Sequence, residues 1–393
     1  MISEEDALAA ILNKVRPLPS CSTPLLGALD RFSARDIFAR LPLPPFDNSA
    51  MDGYAVMTES AVPTKRLRVN SEQAAGEDRN LALKPGEAIR IFTGAPIPAG
   101  ADAVIMQEEV ERLGDEIIPR ANAEPGEFIR RKGSDLAEGQ KIVSLGEKIR
   151  PQTLGVLASQ GLAEIEVGGV PRVAIISTGN ELVPLSGTPK RGQIYESNSI
   201  MLQALTRKAG AEVVLVEHCA DDPEALKRTF QRGMQNDVLI VSGGMSVGDH
   251  DFVKPGLSSL GAAIDLWRVA IKPGKPFLFG GAGNCSIFGL PGNPVSAFVT
   301  FLKFVRPALL KMMFAGGDEL FLPKVICSLT CDVENDGDRA HYLRGDLRVA
   351  GFTPIGRQES HALYGLSRAN ALLRVGPGAK LHAGENVAVE VWA

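Results

Sequence analysis

Apolar residues recur at helical spacing at the start of the chain, where Leu8, Ile11, Leu12 and Val15 fall on one face behind Ser3 and Asp6. A serine followed three residues later by an acid marks a helix start, so the pattern predicts an amphipathic helix ending near Pro17. From about 20 to 170 the period shortens: runs such as EAIRIF (87–92) and ADAVIMQEEV (101–110) alternate with Pro/Gly turns and predict a mostly β region. One helix is predicted inside it, at PQTLGVLASQG (151–161), with Pro151 in the first turn and Gly161 as the stop.

From 171 strands and helices alternate. RVAIIST (172–178), EVVLVEH (212–218) and DVLIVSGG (237–244) read as strands, with helices between them at SNSIMLQALTRKAG (197–210), capped and ending in glycine, and at DDPEALKRTFQRGMQ (221–235), opened by Asp before Pro223. This alternation predicts right-handed βαβ units and a central parallel sheet covered on both faces. NPVSAFVTFLKFVRPALLKMM (293–313) predicts a long apolar helix kinked at Pro307. After about 319, KVICSL, HYLRGDLRV, ALLRV and NVAVEVW predict short strands and a small C-terminal β barrel or sandwich. The whole reads as a multidomain α/β plus β chain with mostly-β N-terminal subdomains and boundaries near 46, 140, 170 and 319.

Composition changes this picture only by exclusion. The 393 residues are 45% hydrophobic and 22% charged, the balance of a globular chain with sizeable cores in several domains. A formal net charge of −4 supplies no basic field, so neither nucleic acid nor an anionic membrane is expected as partner, and any anion site must be local. Five scattered cysteines without a Cys-x-x-Cys read as cytosolic thiols, and Cys327 and Cys331 read as packing residues rather than metal ligands. An acidic first segment and the lack of any membrane-length apolar run point to a cytoplasmic protein.

Candidate chemistry collects in loops. PPFDNSAMDGYAV (44–56) fits neither helix nor strand until its last residues; two prolines stiffen the entry to Asp47, Asn48, Ser49 and Asp52. In an open α/β sheet ligands settle beyond the C-terminal strand ends. The loops there hold Glu181; Asp221 and Asp222; Ser242, Gly243, Gly244, Ser246, Asp249, His250 and Asp251; Arg268, Lys272 and Lys275; and Asn293 and Pro294 at the opening of the long helix. Glycines admit backbone N–H groups to oxyanions, a helix start and lysines add positive potential, and Glu181, Asp221, Asp249 and Asp251 are hard oxygen donors suited to Mg²⁺. Each feature also has a plain structural explanation: Asn-Pro as a cap, KPGKP as a solvated turn, Asp-His-Asp as surface, Asp52 as a turn residue bonding its own backbone. No Walker A loop, no G-x-G-x-x-G after a strand and no hydrolase elbow occurs, which disfavours P-loop ATPases, dinucleotide enzymes and serine hydrolases.

DNSAMDGYAV (47–56), TGAPIPAGADAVI (93–105), RRKGSDL (130–136), STGNEL (177–182), SGGMSVGDHDF (242–252), AIKPGKP (270–276) and GLPGNPVSAF (289–298), in this order, resemble the signatures of the molybdopterin molybdenumtransferases, the MoeA and gephyrin E-domain family. The resemblance runs nearly the whole chain. It implies an enzyme that inserts molybdate into adenylylated molybdopterin, releasing AMP and forming the molybdenum cofactor with a divalent cation, usually Mg²⁺. It further implies a homodimer of four-subdomain protomers, served by a molybdopterin-adenylylating enzyme, with the DNSAMDG loop of one subunit facing the α/β rim of the other. The subdomains would be 20–45 with 140–170 as the link, 46–139 as the mostly-β part, 1–19 with 171–318 as the molybdopterin-binding α/β part, and 319–393 as the terminal barrel.

Carried over by residue, the resemblance gives Asp52 and Asp135 a positioning role in the catalytic set, with Thr93 on the same side. Glu181, Asp221 and Asp251, with Asp249 as a further ligand candidate, would serve the metal and adenylate end. Arg268, Lys272 and Lys275 would hold phosphate or molybdate, and Pro291 and Pro294 would shape the pterin-side loop; Ser360 would be a site position on the last domain, while Ser242, Gly243, Gly244, Ser246 and Asn293 stand as substrate-binding candidates on the chemistry of their own turns. The chain departs from the family at Asn180, where many relatives carry Asp, and at Arg268, where lysine occurs; arginine keeps the cation and adds a fork suited to oxyanions. Two rivals use the same fold: a non-catalytic cofactor-binding or scaffold protein, and a generic phosphotransferase.

Overall fold

The computed structural model describes residues 1–245 and 252–392. The chain divides into two compact units, Met1–Arg35 with Ser144–Gly155 and Leu162–Ala393, and Asp36–Val143 with Val156–Gly161.

The larger unit is built on a six-stranded sheet. Its strands are β1 (Arg172–Thr178), β2 (Glu212–Cys219), β3 (Val238–Ser242), β4 (Ala263–Trp267), β5 (Leu278–Ala282) and β6 (Cys285–Leu290), in the order β2-β1-β3-β6-β5-β4. The first four in that order are parallel, as the βαβ pattern requires. The last two are not: β5 runs antiparallel to both β6 and β4, so the predicted parallel sheet is mixed at one edge. Alternation along β1 explains why both faces are buried. Val173 and Ile175 join one core with Ala7, Ile11, Leu202 and the long helix, while Ala174 and Ile176 join another with Leu226, Phe230 and Val253.

Local signals set the helices. Ser3 Oγ accepts from Asp6 N at 3.0 Å, and the first helix is Glu4–Lys14. Asp222 caps Pro223–Gly233 by accepting from Ala225 N at 2.7 Å. In Asn198–Lys208 the serine before the helix makes no cap bond; Glu196 accepts from Ser199 N at 2.9 Å instead. The predicted long helix is Pro294–Thr300, a π-helical turn Phe301–Val305, then Arg306–Met312. Pro307 cannot donate to the preceding turn and its ring crowds the carbonyl four residues back, and the wider turn just before it absorbs that conflict.

The chain's end folds as a second sheet of the same unit, in the order Ile271–Lys272, Ala340–Arg348, Ala371–Val375, Asn386–Val391, Lys324–Ser328, with Gly351–Pro354 paired to the second. Ile271–Lys272 thus leaves the α/β segment and pairs with Ala340 and His341. A buried polar network joins the layers: Glu4 accepts from the Tyr342 hydroxyl and from Arg374 Nε at 3.1 Å, and Lys303 Nζ lies 2.7 Å from Glu390 and 3.4 Å from Glu4.

The smaller unit holds another six-stranded sheet, ordered Ala103–Met106, Gly53–Val56, Glu87–Ile91, Leu67–Gln73, Glu116–Pro119, Val110–Leu113. The run 101–110 predicted as one strand segment breaks at a 3₁₀ turn, Gln107–Glu109. Gly53 sits where a Cβ would lie 1.9 Å from Ile105 O, so the turn into this strand admits no side chain. Among the described residues no helix is long and apolar enough to cross a membrane.

Candidate active site

The C-terminal ends of β1, β2, β3 and β6 share one edge, and hydrogen bonds lock their loops together. Thr178, the last residue of β1, donates its hydroxyl to Asp221 Oδ1 at 2.6 Å, and Asn180 Oδ1 accepts from Asp221 N at 3.1 Å. The amide at 180 therefore positions the Asp221 loop, a role its oxygen fills without a charge. Glu181 curls back over Gly179, where a Cβ would meet its Oε2 at 2.6 Å. Beyond β3, Ser242 Oγ accepts from Asn198 Nδ2 at 3.0 Å, and the same amide donates to Gly292 O at 2.7 Å. Gly243 adopts φ +95° and would place a Cβ 2.3 Å from Thr178 O, so β1 and β3 close up only around glycine. Gly244 follows at φ +62°.

The cations lie at the other end of this edge. Because β5 inverts, β4 runs in the same sense as β1, and Arg268 emerges beside the strand ends, its N donating to Phe277 O at 2.8 Å. Val269 N reaches Lys275 O at 3.1 Å, which closes the KPGKP turn. Among the described residues none of the Arg268, Lys272 and Lys275 side chains forms an ion pair. With β2 and β4 at opposite edges of the sheet, strand spacing of about 4.8 Å separates the Asp221 end from the Arg268 end by roughly 24 Å.

The terminal sheet leans on the middle of this edge. Ser360 Oγ lies 2.9 Å from Asn293 Nδ2, and Ser360 O accepts from Val295 N at 3.1 Å. Asn293 thus spends its side chain on Ser360 rather than on capping its helix, which begins at Pro294 and follows Pro291 closely. The loop is held by Arg344, a residue the sequence reading passed over. Its side chain is fully buried and Nη2 donates to Glu359 O at 3.1 Å and to Arg357 O. Nε and Nη1 find no partner among the described residues. An arginine on an inward position of an apolar strand, HYLRG, was the available signal. Nearby His341 is pushed down to about 4, first by burial and then by the charges of Lys272, Arg344 and Arg339.

In the smaller unit the acidic loop is fixed by its own contacts. Asp52 Oδ1 accepts from Thr93 N and Thr93 Oγ1, both at 2.8 Å, so it does not bond its own turn. Asp47 accepts from Lys132 N and Arg131 Nη1, both at 2.7 Å, which ties 130–136 to the same loop. Asp135 is exposed, and its N donates to Leu43 O at 2.9 Å. The Lys132 amide, then Arg131, hold the Asp47 carboxyl below the usual carboxylate range. Both donors of Thr93, with the Arg90 charge as a lesser cause, do the same for Asp52.

Ser246, Asp249 and Asp251 lie outside the described residues. Among the described residues no three His, Cys, Asp or Glu side chains gather into a metal-ligating group, so Glu181 and Asp221 are the described members of the expected set.

A sheet edge with glycine turns, carboxylates at one end and, at the other, cations that form no ion pair among the described residues is the arrangement of an α/β protein with its polar loops gathered beyond the strand ends. Matches with known families cover almost all of it: the MoeA N-terminal region (domains I and II) at residues 2–161, a probable molybdopterin binding domain at 174–311, and the MoeA C-terminal region (domain IV) at 327–392. The chain is 38% identical to molybdopterin molybdenumtransferase 2 of Mycobacterium tuberculosis over 98% of its length and 97% of that protein. It is 37% identical to the molybdopterin molybdenumtransferase of Nostoc over 95% of its length and 89% of that protein. A crystal structure of the molybdopterin biosynthesis MoeA protein from Pyrococcus horikoshii superposes with a TM-score of 0.86 at 31% identity, each chain covered over 100%. The chain belongs to the molybdopterin molybdenumtransferase family, transferases of molybdenum cofactor biosynthesis.

Proposed function

We propose that this chain inserts molybdate into adenylylated molybdopterin, releasing AMP and forming the molybdenum cofactor, with a divalent cation such as Mg²⁺ assisting. The observation that carries this reading is the segregation of charge along one sheet edge, carboxylates near Asp221 and, near Arg268, cations without an ion-pair partner among the described residues. An extended substrate with phosphates toward one end and a metal-accepting dithiolene toward the other matches such an edge.

Asp221 keeps Oδ2 for a ligand while Thr178 fixes Oδ1, and Glu181 offers a second hard oxygen donor, a fit for Mg²⁺. Together with Asp249 and Asp251 they would hold the cation, which when bound neutralises charge on the leaving phosphate. Arg268, Lys272 and Lys275 concentrate and orient the oxyanion, and buried Arg344, whose Nε and Nη1 find no partner among the described residues, adds positive charge beneath Ser360. Ser242, Gly243, Gly244 and Ser246 would let the phosphates approach the backbone, while Pro291, Asn293, Pro294 and Ser360 would shape the pterin side. Asp52, Thr93 and Asp135 position ligand from the second subunit of a homodimer. The four-part division of the chain given above, and supply by an adenylylating enzyme, belong to the same reading.

The test is AMP release from purified molybdopterin adenylate. Release should require both molybdate and Mg²⁺; release indifferent to both overturns the scheme.

A further inference from the structure

One arginine of the smaller unit grips the chain on both sides of the contact between Asp52 and Thr93. Arg90 lies in the strand Glu87–Ile91 and is the register partner of Tyr54 in the strand Gly53–Val56. Its fork goes to two neutral oxygens: Nη1 donates to Gly53 O at 3.0 Å and Nη2 to Gln107 Oε1 at 2.5 Å. Gln107 N in turn donates to Asp52 O at 3.2 Å. The guanidinium therefore holds the carbonyl after Gly53 directly and the carbonyl before it through Gln107.

Two rings hold the guanidinium itself. Arg90 Cζ lies 5.0 Å from the Tyr54 ring centroid and 5.0 Å from that of Phe92. Cross-strand partners and residues two apart on a strand share a face, so Tyr54 and Phe92 both reach the Arg90 side, and each ring face attracts the cation. Tyr54 is buried, which fixes one wall of the stack. Phe92 is the residue immediately before Thr93.

The arrangement matters because of where Asp52 stands. Its side chain is exposed, and the next residue, Gly53, has no room for a Cβ, so no side chain anchors the backbone there. With Oδ1 bound to the Thr93 amide and hydroxyl, the direction of Oδ2 follows from how the chain at 52–53 sits against the chain at 92–93. Arg90 touches both. Behind the Thr93 amide and hydroxyl, its charge also favours the ionised carboxylate. A lysine would keep that charge but not the planar fork or the flat stack between rings.

Resting on the function proposed above, we propose that Arg90 is the positioning residue of the Asp52 loop: its guanidinium clamps the chain after Asp52 to the chain before Thr93, so that the free Asp52 oxygen meets ligand in one orientation.

The test is native-state hydrogen exchange of the full chain, read at the Thr93 amide. Arg90→Met fills the space between the rings without the fork, and it should speed that exchange about tenfold while amides around buried Leu67 and Ile117 of the same sheet keep their protection. Arg90→Lys should exchange as fast as Arg90→Met. In turnover, Arg90→Met should lower kcat for molybdate-dependent AMP release about tenfold and change KM for molybdopterin adenylate less than about twofold. Added to Asp52→Asn, it should cost less than about twofold more, because it acts through that carboxylate. Unchanged Thr93 exchange, protection lost evenly across the sheet, lysine equal to wild type, or full additivity with Asp52→Asn each overturns the clamp. A wild-type chain whose AMP release ignores molybdate overturns the function proposed above, and the exchange measurement then decides the clamp by itself.

Discussion

Asp52 and Thr93, separated by 41 residues in sequence, meet through one carboxylate oxygen: Asp52 Oδ1 accepts the Thr93 amide and the Thr93 hydroxyl, each at 2.8 Å. Two donors on one oxygen stabilise the ionised form and leave Oδ2 facing outward. The folded carboxyl accordingly titrates below its ordinary value, the amide being the larger cause and the hydroxyl the next. The stabilisation this contact supplies is therefore present above the ordinary aspartate pKa of about 3.9 and is lost as pH falls through the lowered one. Thr93→Val removes the hydroxyl and keeps the amide, so the Asp52 midpoint should rise part of the way back. Carboxyl-carbon NMR reads this directly, and an unmoved midpoint refutes the role of the hydroxyl.

Asp52→Asn separates charge from geometry. The asparagine oxygen still accepts from Thr93, so the fold should be kept and the melting temperature lowered only by the charge-dependent part of that contact. If the charge positions cofactor substrate, the rate of molybdate insertion should fall on the order of 100-fold, the scale seen when one fixed electrostatic group leaves an active site. A loss under threefold would reduce Asp52 to a structural residue.

How much of this was legible depends on how local each signal is. Ser3 with Asp6, and Asp222 before Pro223, specify helix starts within a single turn, and both caps form as read. The motif loops were legible as loops, yet their partners were not: Asp47 reaches Arg131 and Lys132, 84 and 85 residues away, and no local pattern encodes that pairing. The inversion of β5 did carry a local signal. Gly283-Asn284 is a two-residue turn between the apolar runs Leu278–Ala282 and Cys285–Leu290, with Gly283 at φ +57°, a hairpin rather than a crossover. That hairpin is what returns Arg268 to the same edge as Asp221. Arg344 was missed because a strand's burial is a tertiary fact, and an arginine in it reads as surface until the covering loop is known.

His341 makes the terminal sheet sensitive to acid. Its folded pKa, about 4, lies below the ordinary histidine value because burial and the charges of Lys272, Arg344 and Arg339 oppose protonation, with Asp336 only partly offsetting them. Between pH 6.5 and 4 the unfolded chain binds more protons than the folded one, so stability falls as pH falls through that window. After allowance for screening the loss should be about 2 kcal/mol. His341→Gln should flatten the curve there; denaturant midpoints at pH 7, 5.5 and 4.5 give the comparison, and an identical slope in both proteins refutes the assignment.

Glu4 is nearly buried and serves Tyr342, Lys303 and Arg374 at once. Lys303 keeps Glu390 and Arg374 keeps Glu5 when Glu4 is lost, but the Tyr342 hydroxyl, which burial and Glu4 hold protonated, loses its acceptor. Glu4→Ala should cost about 3 kcal/mol, the scale for breaking a buried charge network. Pairing it with Tyr342→Phe in a double-mutant cycle isolates their bond, and full additivity would show that the two do not interact energetically.

Thr178→Val tests the carboxylate end without removing a carboxylate. Thr178 is 2% exposed and valine matches its shape, so the change deletes only the 2.6 Å hydrogen bond to Asp221 Oδ1. Asp221 would then keep its backbone tether to Asn180 while its side chain turned freely. Groups that orient a ligating carboxylate typically contribute 10- to 100-fold in metal affinity, so Mg²⁺-supported AMP binding should weaken by about that factor. Thr178→Ser retains the hydroxyl and should bind nearly as wild type. Calorimetry on the three proteins decides the matter: if valine and threonine bind equally in Mg²⁺, Asp221 does not work through that oxygen, and the cation must be held elsewhere on the edge.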